Sequence, residues 1–215
     1  MPNTTSRDPV FIIDNLETLK ALSDPLRIQI LERLAPKPQT VNQVAEGLGL
    51  ESSRLYYHFK MLESHSLIKV VETRLVNNMI ERDYWLVAEE IEIDKDLLSF
   101  SSKEGQENIV QIVRSSWEAT LEDLMRTLQA HQIHIANGQV TTPREMVMLK
   151  LRSRLSPKSY KAFIEKFNNL MEEFNQADEG LEGGEELQDY HLACFIYPSY
   201  SYDGEGEAVN ENDKN

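Results

Sequence analysis

The amino-acid sequence predicts an α+β protein that is mostly α, and three observations predict it. Apolar residues recur at three- and four-residue steps between capping signals over residues 16–62. Two β-branched and aromatic runs, "KVVETRLV" and "MIERDYWLV", flank Asn77-Asn78. A third stretch, residues 104–136, keeps helical spacing from end to end.

Residues 1–10 are polar and expected to be loose. From Phe11 the pattern turns helical, with Leu16, Leu19, Ala21 and Leu22 on one buried stripe. "SDP" restarts the chain: Asp24 suits an N-cap and Pro25 the first helical position. The helix that follows, "PLRIQILERL", buries Leu26, Ile30, Leu31 and Leu34, and "APKP" ends it because proline cannot continue the ladder. Thr40 and Gln43 fit a capping box for a short third helix, "VNQVAEGLG". Its inner face is Val44, Ala45 and Leu48, and Gly49 supplies the left-handed residue that stops it.

Ser52 or Ser53 is expected to cap a fourth helix. In it Leu55, Phe59 and Leu62 fall at i, i+4 and i+7 and face the core. Ser53, Tyr57, Lys60 and Ser64 then point the opposite way, with Arg54 and Tyr56 on the flanks. A hairpin about Asn77-Asn78 follows, since asparagine tolerates the positive φ of a tight turn. Helices, a capped fourth helix and then a hairpin make a winged helix-turn-helix, assigned to residues 11–88.

Residues 89–198 are expected to form a helical, α+β dimerisation and effector domain. Ile109, Val113, Trp117, Leu121, Leu124 and Leu128 form the stripe of a helix about 50 Å long, and such a helix calls for a partner. Residues 145–155 read as a strand or a short helix, and their alternation favours strand. Ser156-Pro157 starts another helix, with Tyr160, Phe163, Ile164, Phe167, Leu170, Met171 and Phe174 on one side. Helical spacing makes core the default for Trp117 and the phenylalanines. "YHLACFIYP" has a strand's composition and would complete a small strand pair. Residues 199–215 read as a disordered acidic tail.

The totals set limits. The chain has 215 residues, 40% hydrophobic and 27% charged, as ordinary globular proteins do. No apolar run approaches the roughly 20 residues that span a bilayer, and "MPNTTSRD" is no signal peptide, so no membrane partner is expected. The single cysteine, Cys194, excludes an internal disulfide framework and fits a cytoplasmic location. A net charge of −14 by itself argues against nucleic acid. Yet residues 1–88 hold 10 Lys+Arg against 11 Asp+Glu, so nearly all the surplus acid lies after them.

"LKALSDPLRIQILERL" followed by "VNQVAEGLGLESSRLYYHFKMLESHSLIKV" resembles the ArsR-type winged-helix transcriptional regulators. The likeness rests on Asp24-Pro25, Arg27, Ile30-Leu31, and His58-Phe59 through Leu62, with "SLIKV" as the exit into the wing. "IERDYWLVAEEIEID" is similar to a subgroup whose C-terminal extension begins with a long helix. Two departures stand out. The wing carries Asn77 and Asn78 where arginine and glycine are usual. The helix "VNQVAEGL" lacks the paired cysteines of the metal-sensing members, which excludes a thiolate sensor of that type.

The resemblance implies a homodimeric, sequence-specific binder of double-stranded DNA that represses by occluding a promoter. The major-groove helix would present Ser52, Ser53, Arg54, Tyr56, Tyr57 and Lys60. Arg74, Asn77, Asn78 and Arg82 of the wing would meet phosphates. The alternative is a winged helix that only contacts other proteins. A small-molecule effector is allowed for but not identified.

Other candidates are weaker. His131 and His134 lie three apart on a helix without an evident third metal ligand. His191 and Cys194 would sit on opposite faces of a strand, with Cys194 a small buried apolar residue. No glycine-rich phosphate loop, G-x-S-x-G or H-E-x-x-H is present, so no enzyme, cofactor or metal is expected.

Overall fold

The computed structural model describes residues 6–76, 79–139, 146–177, 190–197, 201–202 and 208–209. The chain divides into two compact units, Met1–Thr141 and Thr142–Asn215.

In the first unit, short-range capping chemistry sets the helix starts. Asn15 accepts from the Thr18 N–H and opens α1 (Leu16–Leu22). Asp24 accepts from the Arg27 N–H at 3.0 Å, and Pro25 follows it at the start of α2 (Pro25–Leu34). Both bonds of the Thr40–Gln43 capping box form at the head of α3 (Val41–Leu48), at 3.2 and 2.9 Å. Gly49 ends α3 at φ 64°, the left-handed conformation that its missing Cβ permits. The Asp24-Pro25 start, the Thr40–Gln43 box and the Gly49 stop follow the sequence expectation.

The helical pattern expected from Phe11 is corrected. Residues Asp8–Ile13 form strand β1, parallel to β5 (Ala88–Ile93), with Asp8 opposite Ala88 and Ile13 opposite Ile93. "DPVFII" is a short apolar run, whose period does not distinguish strand from helix. Helix begins only where Asn15 can cap it. Leu16, assigned to the buried stripe, is exposed as a result, while Leu19 and Ala21 are buried.

The expected serine cap of the fourth helix is also corrected. Ser52–Arg54 form a single 3₁₀ turn, entered at Glu51 with no side-chain cap bond. The helix proper, α4 (Tyr56–Ser64), starts one residue after Leu55. Strands β3 (Ile68–Val76) and β4 (Met79–Leu86) then make the hairpin, antiparallel from Ile68–Leu86 to Val76–Met79. A register shift falls between Val70 and Glu72. The short β2 (Gln39–Thr40) joins the other edge of β4, giving the order β2-β4-β3.

One core joins these elements. Ile30, Leu34, Val44, Leu48, Leu55, Phe59 and Leu62 are all at most 2% exposed. The Phe59 ring meets Tyr84 of β4 edge-on at 5.0 Å between centroids, tying α4 to the sheet. Ser102 accepts from the Gly105 N–H and opens α5 (Lys103–Ala136), the long helix the spacing predicts. Small residues let α5 lie close: Gly105, Ser115 and Ala119 are buried, and a Cβ on Gly105 would collide with the Ser99 backbone. The helix packs on α2.

In the second unit, Ser156 accepts from the Ser159 N–H at 3.1 Å and opens α6 (Pro157–Asn175), again as the sequence predicts. The strands expected at 145–155 and 190–198 are corrected: residues 146–155 and 190–197 have no regular structure. Alternation makes a strand only where a neighbouring strand completes the ladder, and none pairs with either segment among the described residues. The pair in this unit is β6 (Ser201–Tyr202) with β7 (Ala208–Val209), inside the stretch read as a tail. Trp117, Phe163 and Phe174 are not core; they are 55, 47 and 46% exposed. Cys194 is exposed rather than buried.

Candidate nucleic-acid interface

The candidate interface is built on α4 and the 3₁₀ turn before it. Leu55 is 0% exposed, Phe59 2% and Leu62 0%, so one side of the helix is sealed against the core. The opposite side is open: Tyr56 is 57% and Tyr57 63% exposed, and Ser53, Arg54, Lys60 and Ser64 are exposed with them, Ser52 partly. The helical step of 100° requires this division once the apolar positions are fixed. The exposed side offers one guanidinium, one ammonium, two phenols and the serine hydroxyls, with the exposed Glu63 carboxylate on the Tyr56 flank.

Behind this face sits His58, half-buried, with Nδ1 3.5 Å from Asp24 Oδ1. Burial pushes its pKa below the usual 6.5; Asp24 pulls it back up, and Arg27 and Arg54 lower it further. Its ring meets that of Tyr57 edge-on at 5.6 Å. Asp24 thus serves several groups at once, since Arg27 Nη1 also lies 3.6 Å from its other oxygen. Arg27 donates from Nη2 to the Lys20 carbonyl at 3.2 Å and from Nε to the Ala21 carbonyl, so it satisfies the open carbonyls at the end of α1. This capping by Arg27 was missed at the level of sequence. Its position five residues past the end of a helix, beside an N-cap aspartate, was the available signal.

The wing is electrostatically different from what its arginines suggest. Arg74 Nη1 lies 2.9 Å from Asp83 and 4.0 Å from Glu72, and Nε donates to Glu81 at 3.0 Å. Arg74 and Glu81 face each other across the β3–β4 ladder, so register brings the charges together. Burial raises the Asp83 pKa despite the attraction of Arg74. Arg82 is exposed and takes part in no ion pair among the described residues. Asn77 and Asn78 lie outside the described residues.

The stripe on α5 stands apart from this face. Val113, Trp117, Leu121 and Leu128 are exposed, and Ile109 and Leu124 half-buried. On the other side of α5, Gly105, Ser115 and Ala119 are buried, and Glu122 meets Gln29 of α2. His131 and His134 both lie on this helix. No group of three or more potential metal ligands occurs among the described residues. No helix among them is long and apolar enough to cross a membrane.

Helices α3 and α4 joined through Gly49, with a hairpin behind them, define a winged helix-turn-helix fold. Residues 22–71 match a family model described as a helix-turn-helix domain. A similar solved structure is the homodimeric winged helix-turn-helix DNA-binding domain of a possible ArsR-family transcriptional regulator from Mycobacterium bovis, determined by NMR in solution. It is 18% identical, with a TM-score of 0.28, over 55% of this chain and 81% of that one. No curated protein matches the chain.

Proposed function

We propose that the protein is a sequence-specific DNA-binding regulator of transcription that acts as a homodimer and represses by occluding a promoter. The observation that carries the proposal is the division of α4, with Leu55, Phe59 and Leu62 buried and Arg54, Tyr56, Tyr57 and Lys60 open to solvent. The second helix of a helix-turn-helix lies in the major groove, and its first turn reaches base edges. Arg54 can take guanine in bidentate fashion, Ser52 and Ser53 serve bases or phosphates, and the tyrosines offer hydroxyls to phosphate and rings to thymine methyls. Lys60, further along, suits the backbone. On the wing, Arg82 and the amides of Asn77 and Asn78 are the better phosphate candidates, because Arg74 is held by carboxylates.

A single recognition helix covers too few base pairs for a genomic search, and pairing two on a pseudo-palindrome removes the difficulty. The stripe Ile109, Val113, Trp117, Leu121, Leu124 and Leu128 is the proposed surface between copies. The acid beyond residue 88 has a use in this scheme: it repels phosphate from everything except the winged faces.

Selection of bound fragments from genomic DNA, followed by affinity measurements across salt, tests the proposal. The expected result is one enriched motif with two-fold symmetry and a log–log salt slope of about −0.9 per phosphate contact. Arg54→Ala should relax one base position at a cost of about 1–3 kcal/mol, and Lys60→Ala should weaken all sequences alike. No enriched motif and a flat salt response would favour the protein-contact reading, which the charge of −14 recommends.

A further inference from the structure

We propose that a cleft between α2 and α5 binds a small apolar α-amino acid and that the bound ligand draws Arg54 away from DNA. The proposal deepens the DNA-binding reading and rests on it for its regulatory half.

The cleft is open to solvent and holds about 210 Å³, below the roughly 300–1,000 Å³ of sites for drug-sized ligands. Pro25, Leu26 and Leu50 give it an apolar floor, Arg54 and Arg126 supply guanidiniums, and Asp24 and Glu122 supply carboxylates. Its polar groups are not equally engaged. Asp24 is committed to Arg27, by the cap bond at 3.0 Å and the ion pair at 3.6 Å. Glu122 accepts from Gln29 through Oε2 at 2.6 Å, and its second oxygen has no partner among the described residues. Arg126 holds Asp123 through Nη2 at 3.3 Å, while its Nε is shielded from solvent with no acceptor. A buried donor without an acceptor is costly. Arg54, exposed above the cleft, has no ion pair among the described residues.

These groups describe a ligand. The unmet Arg126 Nε and the free Arg54 guanidinium both ask for a carboxylate. The unused Glu122 oxygen asks for a donor, and an ammonium group fits it. Arg27, Arg54 and Arg126 balance Asp24, Glu122 and Asp123, so a net-neutral molecule with separated charges suits the lining better than a bare anion. The floor of Pro25, Leu26 and Leu50 takes an aliphatic side chain. Because Arg54 belongs to the turn that leads into α4, a carboxylate on it competes directly with a base or phosphate.

The test is calorimetric titration of the full chain, without DNA, using L-leucine as the probe. Isocaproate lacks the ammonium group and isoamylamine lacks the carboxylate. L-leucine should bind saturably, and each analogue, like Arg126→Ala with native melting, should bind at least about tenfold more weakly, the loss of a charged hydrogen bond. L-leucine should also weaken binding to the selected DNA. No saturable heat, equal binding of isocaproate, or an Arg126→Ala protein that titrates like the native one would overturn the site. L-leucine binding with DNA affinity unchanged would overturn the role of Arg54. L-leucine binding by a protein that takes no DNA would uphold the cleft and overturn the DNA reading instead.

Discussion

Gln29 Nε2 donates to Glu122 Oε2 at 2.6 Å, joining α2 to α5 across ninety-three positions of sequence. Gln29 is 1% exposed, and its Oε1 has no hydrogen-bond partner among the described residues. Glu122, by contrast, is exposed. The two residues therefore respond differently to replacement.

Glu122→Ala leaves the buried Gln29 amide without an acceptor and should cost about 1–3 kcal/mol of stability. Gln29→Leu removes both the donor and the unsatisfied oxygen while conserving volume, and should change stability by less than about 1 kcal/mol. Urea melts of the two variants check this. Equal losses would mean that the bond itself, and not the stranded amide, sets the cost.

The two sides of α4 should separate stability from binding. Phe59→Ala empties a site 2% exposed and should cost about 3–5 kcal/mol. Tyr57→Ala, at 63% exposure, should stay within about 0.5 kcal/mol and still weaken DNA binding. Thermal melts and fluorescence anisotropy on a selected DNA fragment measure the two effects independently.

His58 should give the fold a pH dependence of definite sign. Its folded pKa is depressed, first by burial, so the unfolded chain binds more protons just below pH 6.5. Stability should therefore be undiminished above about pH 6.5 and fall as pH drops through the lowered folded value. Asp83 acts oppositely: its folded pKa is raised above 3.8, so its contribution is lost as pH rises through that raised value. Chemical melts of native protein and His58→Gln between neutral and mildly acidic pH should show the flatter profile in the variant.

The α5 stripe should control assembly. Trp117→Glu places a charge where the native indole is 55% exposed; it should leave the single-chain fold intact and halve the mass seen by sedimentation. DNA affinity should fall with it, because paired half-sites need paired helices. A native mass near that of one 24.8 kDa chain would remove α5 as the surface between copies.

What was legible in the sequence was whatever local chemistry decides. Asp24-Pro25, the Thr40–Gln43 box, Gly49 and Ser156-Pro157 each act within a few residues, and each appears where its pattern put it. The buried trio Leu55, Phe59 and Leu62 followed from spacing, and the exposed side of α4 followed from the trio. Pairing over distance was not legible. Nothing in "DPVFII" names residues 88–93 as its neighbour, and nothing in Arg74 shows that register would set Glu81 opposite and Asp83 nearby. The apolar stretches of 146–155 and 190–197 misled for the same reason: composition states a preference for strand but supplies no partner.

The parallel pairing of β1 with β5 has a consequence for biosynthesis. Asp8 meets Ala88, so β1 is synthesised well before the strand that completes it, one of the last parts of the winged region. Until then Val10 and Ile12 travel on an unfinished edge, open to chaperones or to the same strand of a sister polypeptide. Closing so long a loop is slow compared with forming the helices between its ends. Final assembly of the domain should thus wait on the translation of residue 93, however early its helices have formed.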